Sequence, residues 1–348
     1  MSRLKYGGME LSLINFINKS NITNRYNVNL YLAYTLNKEL LDQINKKVNI
    51  HLLCTGKWNL INKIRAFFKL IIMYIFNEKS DVSICYTNHQ RILSKLSRRS
   101  SKNSILFVHS DLNRYINASD KAKIKNKIKF DKFSKIICVS EKVKESLITL
   151  YDKKIGKKCH VVANYIDGDK IIKLSKENPD ISIKFNIPTF INIANHVEEF
   201  KNINAIIESA KKLKEDEEIF QILLIGSGKD TDNYKTKIAE YKLEDIVLLL
   251  GSKSNPYPYL KKGNALLFPS KYEGYGMVLD EARVLGIPII STGSGASAEI
   301  CNAGYGILTN DLYSAMKKII KNKKAFKKNF DYEKHNQQIT NMYDQIIN

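Results

Sequence analysis

The chain has little that would place it outside the globular α/β classes. No run approaches the roughly 20 apolar residues of a membrane span. The longest, Phe67–Phe76, is short and interrupted by Lys69. No secretory leader pattern stands at its start, so a cytoplasmic location is expected. The 5 cysteines, Cys54, Cys85, Cys138, Cys159 and Cys301, show no CxxC pairing. That excludes a disulfide or zinc framework and fits reduced, mostly buried thiols. There is a single tryptophan, and neither an internal repeat nor a long low-complexity tract. What remains is 348 residues, 44% of them hydrophobic, enough for two domains with a core each.

Positive charge is abundant and unevenly placed. The formal net charge is +21, and residues 1–168 hold 31 Lys and Arg against 12 Asp and Glu. Residues 169–348 hold 25 against 23. The basic half suits an anionic surface, either nucleic acid or acidic lipid. A lysine-rich solvated face gives the same composition.

Both halves alternate short apolar runs with helical stretches, the pattern of α/β layers. Strands are expected at VNIHLL, DVSICY, SILFVHS and KIICVS in the first half. In the second they are expected at FINIA, FQILLIG, IVLLLG, ALLFPS and IPIIST. A polar, turn-rich linker spans about 163–185. The expected domains are 1–167, closed by a final helix within 330–348, and 168–329. Lys121–Lys135 alternates lysine with other residues, but Ile124 and Ile128 fit a helix face. Trp58–Phe76 could lie on a membrane surface; an ordinary helix buried against a sheet is the preferred reading.

Phe268–Thr292 is the most informative stretch. An apolar strand breaks at a glycine-bearing turn and a helix starts at about Met277. Gly286 and Pro288 then stop the helix before a second buried strand. Glu273 stands in the turn and Glu281 in the helix, with Gly274 and Gly276 between the two. A helix N-terminus offers unpaired N–H groups and a partial positive charge, and glycine lets a ligand approach the backbone. A carboxylate beside that turn can accept two hydrogen bonds from a vicinal diol such as ribose. Phosphate on backbone and ribose on carboxylate together hold a nucleotide.

EGYGMVLDE, Glu273 to Glu281, resembles the donor-binding segment of glycosyltransferase family 4, a retaining group with the GT-B fold. The likeness runs along most of the chain. YGGMELSL (Tyr6–Leu13) resembles the N-terminal glycine loop and first helix. FVHSD (Phe107–Asp111) and IICVSE (Ile137–Glu141) are similar to two later segments of the first domain. VVANYID (Val161–Asp167) is similar to the family's linker, with Tyr165 where proline is common. IGSGKD (Ile225–Asp230) and Leu250–Ser270 follow in order.

The resemblance implies two Rossmann-like domains facing a cleft. In it Glu281 would bind ribose and Glu273 the donor sugar, with backbone at Gly274, Tyr275, Gly276 and Met277. The Val278 and Leu279 amides would face the diphosphate. Lys201 would neutralise the leaving diphosphate, where electrostatic stabilisation counts most. His109, at the end of a first-domain strand, would orient the donor or stabilise an oxocarbenium-like transition state. Gly7 and Gly8 would admit the donor close to the backbone. No cofactor and no metal are implied, only a nucleotide-sugar co-substrate, UDP- or GDP-activated. The expected acceptor is a glycan or polyprenyl-diphosphate-linked lipid at the inner face of the plasma membrane, in capsule, O-antigen or exopolysaccharide synthesis.

Two departures stand out. The family's Gly-Arg-Leu, three residues, Lys becomes Asn195-His196-Val197, three residues, Lys201. Arginine forks onto phosphate and stays charged, whereas histidine is largely neutral at pH 7. Either phosphates charge His196 or Lys201 carries more of the role. The family's first strand also has no counterpart before Tyr6, which would leave a gap in the middle of the first sheet and destabilise that domain.

Three rival functions compete. A GT-B epimerase would use the same nucleotide sugar and release an altered free sugar. A glycosidase would want sugar-stacking tryptophans beside its carboxylates. A nucleic-acid binder rests on charge alone, without a recognition motif, and nucleic acid is not expected as a partner.

Overall fold

The computed structural model describes residues 7–32, 38–52, 64–65, 68–69, 72, 79–86, 91–114, 124, 128–151, 153–179, 183–322 and 329–347. They form two compact units, one of Met1–Ile166 with Lys334–Asn348, the other of Asp167–Glu333. The sequence expectation had put these boundaries at 167/168 and 329/330.

In the first unit, strands β1 (Asn29–Leu32) and β2 (Asn49–Leu52) pair in parallel. Strands β3 (Val82–Cys85), β4 (Asn103–Val108), β5 (Lys135–Cys138) and β6 (Cys159–Val161) form a second parallel sheet in that order. β4 is buried at five consecutive positions, as expected of a parallel strand covered on both faces. Helix Gly8–Lys19 buries Leu13, Phe16 and Ile17, the i, i+3, i+4 stripe of an amphipathic helix. Helix Tyr332–Ile347 adds Ile339, Tyr343 and Ile346 to the same core. Tyr165 anchors it, its ring stacked on Tyr343 at 5.8 Å and its hydroxyl 3.2 Å from the Thr340 hydroxyl. Burial pushes the Tyr165 phenol up to about 12.

The second unit is a six-stranded parallel sheet. Its strands are β7 (Thr189–Ile193), β8 (Gln221–Ile225), β9 (Val247–Gly251), β10 (Ala265–Phe268), β11 (Ile289–Ser291) and β12 (Gly306–Leu308). Their order is β12-β11-β10-β7-β8-β9, the doubly wound arrangement in which the first and fourth strands are neighbours. Open sheets of this type bind ligands at that switch point, beyond the carboxyl ends of the strands. Helix Ile203–Glu215 covers one face with Ile203, Ile206, Ile207, Ala210 and Leu213, all fully buried.

Several expectations need correction. Strands β1, β6 and β12 were not foreseen. The helix read across Lys121–Lys135 does not extend that far, and residues 121–123 and 125–127 lie outside the described residues. Positions 124 and 128 are helical, Lys129 is left-handed (φ 54°), and Phe130–Lys132 is a 3-10 turn leading to β5. Most of Trp58–Phe76 is likewise outside them. Its described positions are helical, but Ile64, Phe68 and Ile72 are 48, 58 and 55% exposed, so they are not buried against a sheet. Among the described residues no helix is long and apolar enough to cross a membrane. Among the described residues, the two sheets of the first unit are not bonded to each other.

Candidate functional site

The site grows from the two strands at the switch point of the second unit. β10 ends at Phe268, the chain turns through Pro269–Gly276, and helix Met277–Val284 begins. Gly276 is left-handed (φ 92°), and a Cβ there would lie 2.8 Å from the Phe268 ring. Both facts require glycine. No side chain caps this helix. The Leu279 N–H turns back to the Gly276 carbonyl at 2.9 Å. The amides of Met277 and Val278 therefore have no intrahelical acceptor and sit at the positive end of the helix dipole.

Glu273 does not cap the helix. It forms an ion pair with Lys201, each side chain about one-fifth exposed. Lys201 closes the helical turn Glu198–Lys201 after β7, so the pair joins the loops beyond the two central strands. The loops are also bonded through backbone. The Phe200 carbonyl accepts from Lys271 N–H at 2.8 Å and from Tyr272 N–H at 3.5 Å. A cation, a carboxylate and a capless helix start are thus gathered beyond β7 and β10.

His196 is the point at which the phosphate-ligand expectation meets an obstacle. The residue is fully buried. Its Nδ1 lies 3.0 Å from the Thr231 hydroxyl and its ring packs edge-on against Tyr234 at 5.4 Å. Burial pushes its pKa down, which favours the neutral imidazole. The backbone around it is tight. A Cβ on Gly226 would lie 1.8 Å from the Ala194 carbonyl oxygen, and His196 N–H donates to Ser227 at 3.0 Å. His196 packs the loops after β7 and β8 together, which leaves Lys201 as the cation of this turn.

Glu281 lies on the second turn of helix Met277–Val284, 3.5 Å from the Tyr257 hydroxyl. It is half-buried, and burial with the nearby Asp280 charge pushes its carboxyl up to about 7. Burial, then the Glu281 charge, pushes the Tyr257 phenol up in turn. Beside it is a group that the sequence reading missed. Asp280, fully buried, accepts from the Tyr275 hydroxyl at 2.7 Å and pairs with Arg283. Arg283 also stacks on Phe330, 3.8 Å from the ring centroid. The i, i+3 spacing of Asp280 and Arg283 was the available signal. A second missed element is the turn after β11. Gly295 (φ 58°) approaches so closely that a Cβ would lie 2.7 Å from the Tyr275 carbonyl oxygen, which accepts from Ala296 N–H at 3.0 Å. The turn carrying Glu273, Gly274 and Tyr275 is thus held from both sides.

Gly7, Gly8 and His109 belong to the first unit. Gly7 precedes helix Gly8–Lys19 with φ −177°, extended backbone open to any residue, so its dihedral gives no reason for glycine. His109 follows β4, its ring 4.5 Å from Tyr86 and stacked on Phe107 at 5.5 Å. Tyr86 is tied to Ser12 at 2.7 Å, and Ser12 to Asn164 at 2.6 Å. Among the described residues, no group of three His, Cys, Asp or Glu could hold a metal ion.

Comparison with known proteins places this geometry. Residues 175–343 match the family Glycosyl transferases group 1. An uncharacterized glycosyltransferase of Methanocaldococcus jannaschii is 30% identical over 166 residues, 47% of this chain and 41% of that protein. The N-acetylgalactosamine-N,N'-diacetylbacillosaminyl-diphospho-undecaprenol 4-alpha-N-acetylgalactosaminyltransferase of Campylobacter jejuni is 30% identical over 178 residues, 49% and 47% of the two chains. The chain spans less than half the length of these two relatives. Among solved structures, HepE of Anabaena in complex with UDP and glucose superposes with a TM-score of 0.74 at 17% identity, covering 99% and 98% of the two chains. That likeness shows the fold. Residues 175–343, which include the whole turn–helix site, are thus similar to the group 1 glycosyl transferases, and the chain has the GT-B fold.

Proposed function

We propose that the protein is a retaining glycosyltransferase that moves a sugar from a nucleotide-sugar donor, UDP- or GDP-activated, to a glycan or polyprenyl-diphosphate-linked acceptor. The observation that carries this reading is the gathering of Lys201, Glu273 and the uncapped start of helix Met277–Val284 beyond the switch-point strands. Each part has a chemical use. The Met277 and Val278 amides meet phosphate oxygens, and Lys201 neutralises the charge that grows on the diphosphate as the glycosidic bond breaks. Glu273, paired with Lys201 before a donor arrives, turns to the sugar hydroxyls, because an ammonium has three donors and can hold carboxylate and phosphate together. Glu281 accepts from the ribose diol. In the first unit, His109, Gly7 and Gly8 are the proposed substrate contacts.

The relatives support the substrate class. The Campylobacter relative is named for a diphospho-undecaprenol acceptor, and HepE was crystallised with UDP-glucose. The net charge of residues 1–168 suits work at an anionic membrane surface in cell-surface polysaccharide assembly. A cytoplasmic position at the inner leaflet goes with that acceptor.

The test is a thermal-shift panel of UDP-, GDP-, ADP- and dTDP-sugars on the wild type and Glu281→Ala. A UDP- or GDP-sugar should raise the unfolding temperature of the wild type and leave the variant unchanged. Binding by none of them, or equal binding by the variant, sinks the donor assignment. Release of an altered sugar without acceptor would move the reaction to the epimerase class, and inversion in the NMR spectrum of the product would remove retention.

A further inference from the structure

Tyr275 stands between Gly274 and Gly276 in the turn that leads from β10 into helix Met277–Val284. A glycine on each side leaves the backbone of such a turn many conformations. One side chain restricts it. The Tyr275 ring is buried, and its hydroxyl donates to Asp280 Oδ2 at 2.7 Å. The other carboxylate oxygen, Oδ1, takes the Arg283 guanidinium. Arg283 in turn lies over the rings of Phe330, at 3.8 Å, and Tyr305, at 5.2 Å. Turn, phenol, carboxylate, guanidinium and aromatic rings thus form one connected line within the second unit. Burial, then the Asp280 charge, pushes the Tyr275 phenol well above its ordinary value. The hydroxyl therefore keeps its proton at neutral pH and serves as a donor.

Stability alone is a poor reason for this line. Taking two charges out of water costs about as much as their attraction returns, and well-packed apolar residues often serve as well or better. Arg283 adds to the cost. Its Nε is buried with no hydrogen-bond acceptor among the described residues, and a buried donor without a partner is unfavourable.

We propose that Asp280 and Arg283 are positioning residues of the donor site. Acting through the Tyr275 hydroxyl, they set the path of the Glu273–Gly276 turn, and with it the aim of the Met277 and Val278 amides at the diphosphate. A carboxylate oxygen fixes one place for the phenol hydroxyl, where apolar packing would leave it several. Arg283 holds that carboxylate ionised and in place, and the two aromatic rings hold Arg283. Amides that are already aimed lose little to ordering when the anion arrives. The inference rests on the donor reading of this turn.

Titration calorimetry with UMP, UDP, GMP and GDP tests it on the full chain. A mono- and a diphosphate share base and ribose. The ratio of their affinities therefore cancels any change at Glu281, whose carboxyl is pushed up by burial and by the Asp280 charge. The wild type should prefer the diphosphate of one base. Tyr275→Phe should lower that preference about tenfold, the worth of a hydrogen bond to a charged oxygen. Asp280→Leu with Arg283→Met should lower it as much, although the second unit unfolds near the wild-type temperature. Adding Tyr275→Phe to that pair should lower it no further. Asp280→Asn with Arg283→Met returns an uncharged acceptor to the phenol and should restore most of the preference. A merely structural pair would follow stability, and the preference would return with Asp280→Leu and Arg283→Met. That result overturns the proposal, as does an undiminished preference in Tyr275→Phe, an additive loss in the triple variant, or no recovery by Asp280→Asn with Arg283→Met. A wild type indifferent to the second phosphate in both series overturns the donor reading, and the proposal with it.

Discussion

Both units are built on parallel sheets, and they differ in charge and in what the ends of their strands carry. In the second, six parallel strands bond without a break and the switch point carries a cation, a carboxylate and a helix start. In the first, two strands and four strands are separate among the described residues, with a cavity between them. The first half of the chain also bears nearly all of the net positive charge. The second unit therefore carries the turn–helix site and the first most of the positive charge, and variants in each should act on different properties.

The largest test of that contrast concerns Arg283. Removing its charge by Arg283→Met takes the guanidinium away from the fully buried Asp280, and stranding one member of a buried pair costs about 3–5 kcal/mol. Denaturant unfolding should show the loss in the transition of the second unit and leave the first in place. Asp280→Leu with Arg283→Met should recover most of it. If both transitions shift together, the units are not energetically distinct.

Lys201→Ala probes chemistry in place of stability. Loss of one preorganised charge at the leaving group should lower turnover by about 100- to 1,000-fold, with little change in either unfolding transition. Turnover within threefold of wild type would remove Lys201 from the reaction.

The third test is pH. The unfolded Glu281 carboxyl titrates near 4.5 and the folded one near 7. The folded unit thus holds a proton that the unfolded chain has released, and stability falls as pH rises from about 4.5 to about 7. Hydrogen bonds from a ribose diol favour the ionised form, so donor affinity should run the other way. It should rise about tenfold per unit up to pH 7 and then level off. Isothermal titration from pH 5.5 to 8 checks this, and Glu281→Gln should flatten the profile.

The smallest effect belongs to the first unit. Tyr165→Phe removes the hydroxyl contact with Thr340 and should cost about 0.5–1.5 kcal/mol there. The unfolding transition of the second unit should not change, since Tyr165 belongs to the first.

Much of the second unit could be read from the chain because its strands are long apolar runs between turns. FQILLIG and ALLFPS needed no partner information, and the helix start at Met277 followed from glycine and spacing. β12 has only three residues, Gly306–Leu308, and β1 reads NLYL, too short for a period to declare itself. His196 shows a different limit. Its spacing to Lys201 suggested a phosphate ligand, but what surrounds it is Thr231 and Tyr234, more than 30 residues away. Burial of a single polar residue depends on such distant neighbours. The buried Asp280–Arg283 pair was written in the sequence as an i, i+3 couple. Its depth, with Tyr275 and Phe330 closing over it, was not.

Helix Tyr332–Ile347 has a consequence for how the protein is made. It completes the core of the first unit, yet it leaves the ribosome after the second unit, Asp167–Glu333, has been translated without interruption. At about 5–20 residues per second, the first unit waits on the order of ten seconds or more without Ile339, Tyr343 and Ile346, while the second can close as soon as it emerges. The part of the chain translated first is thus the last to be finished, and during that interval its apolar surface is open to chaperones.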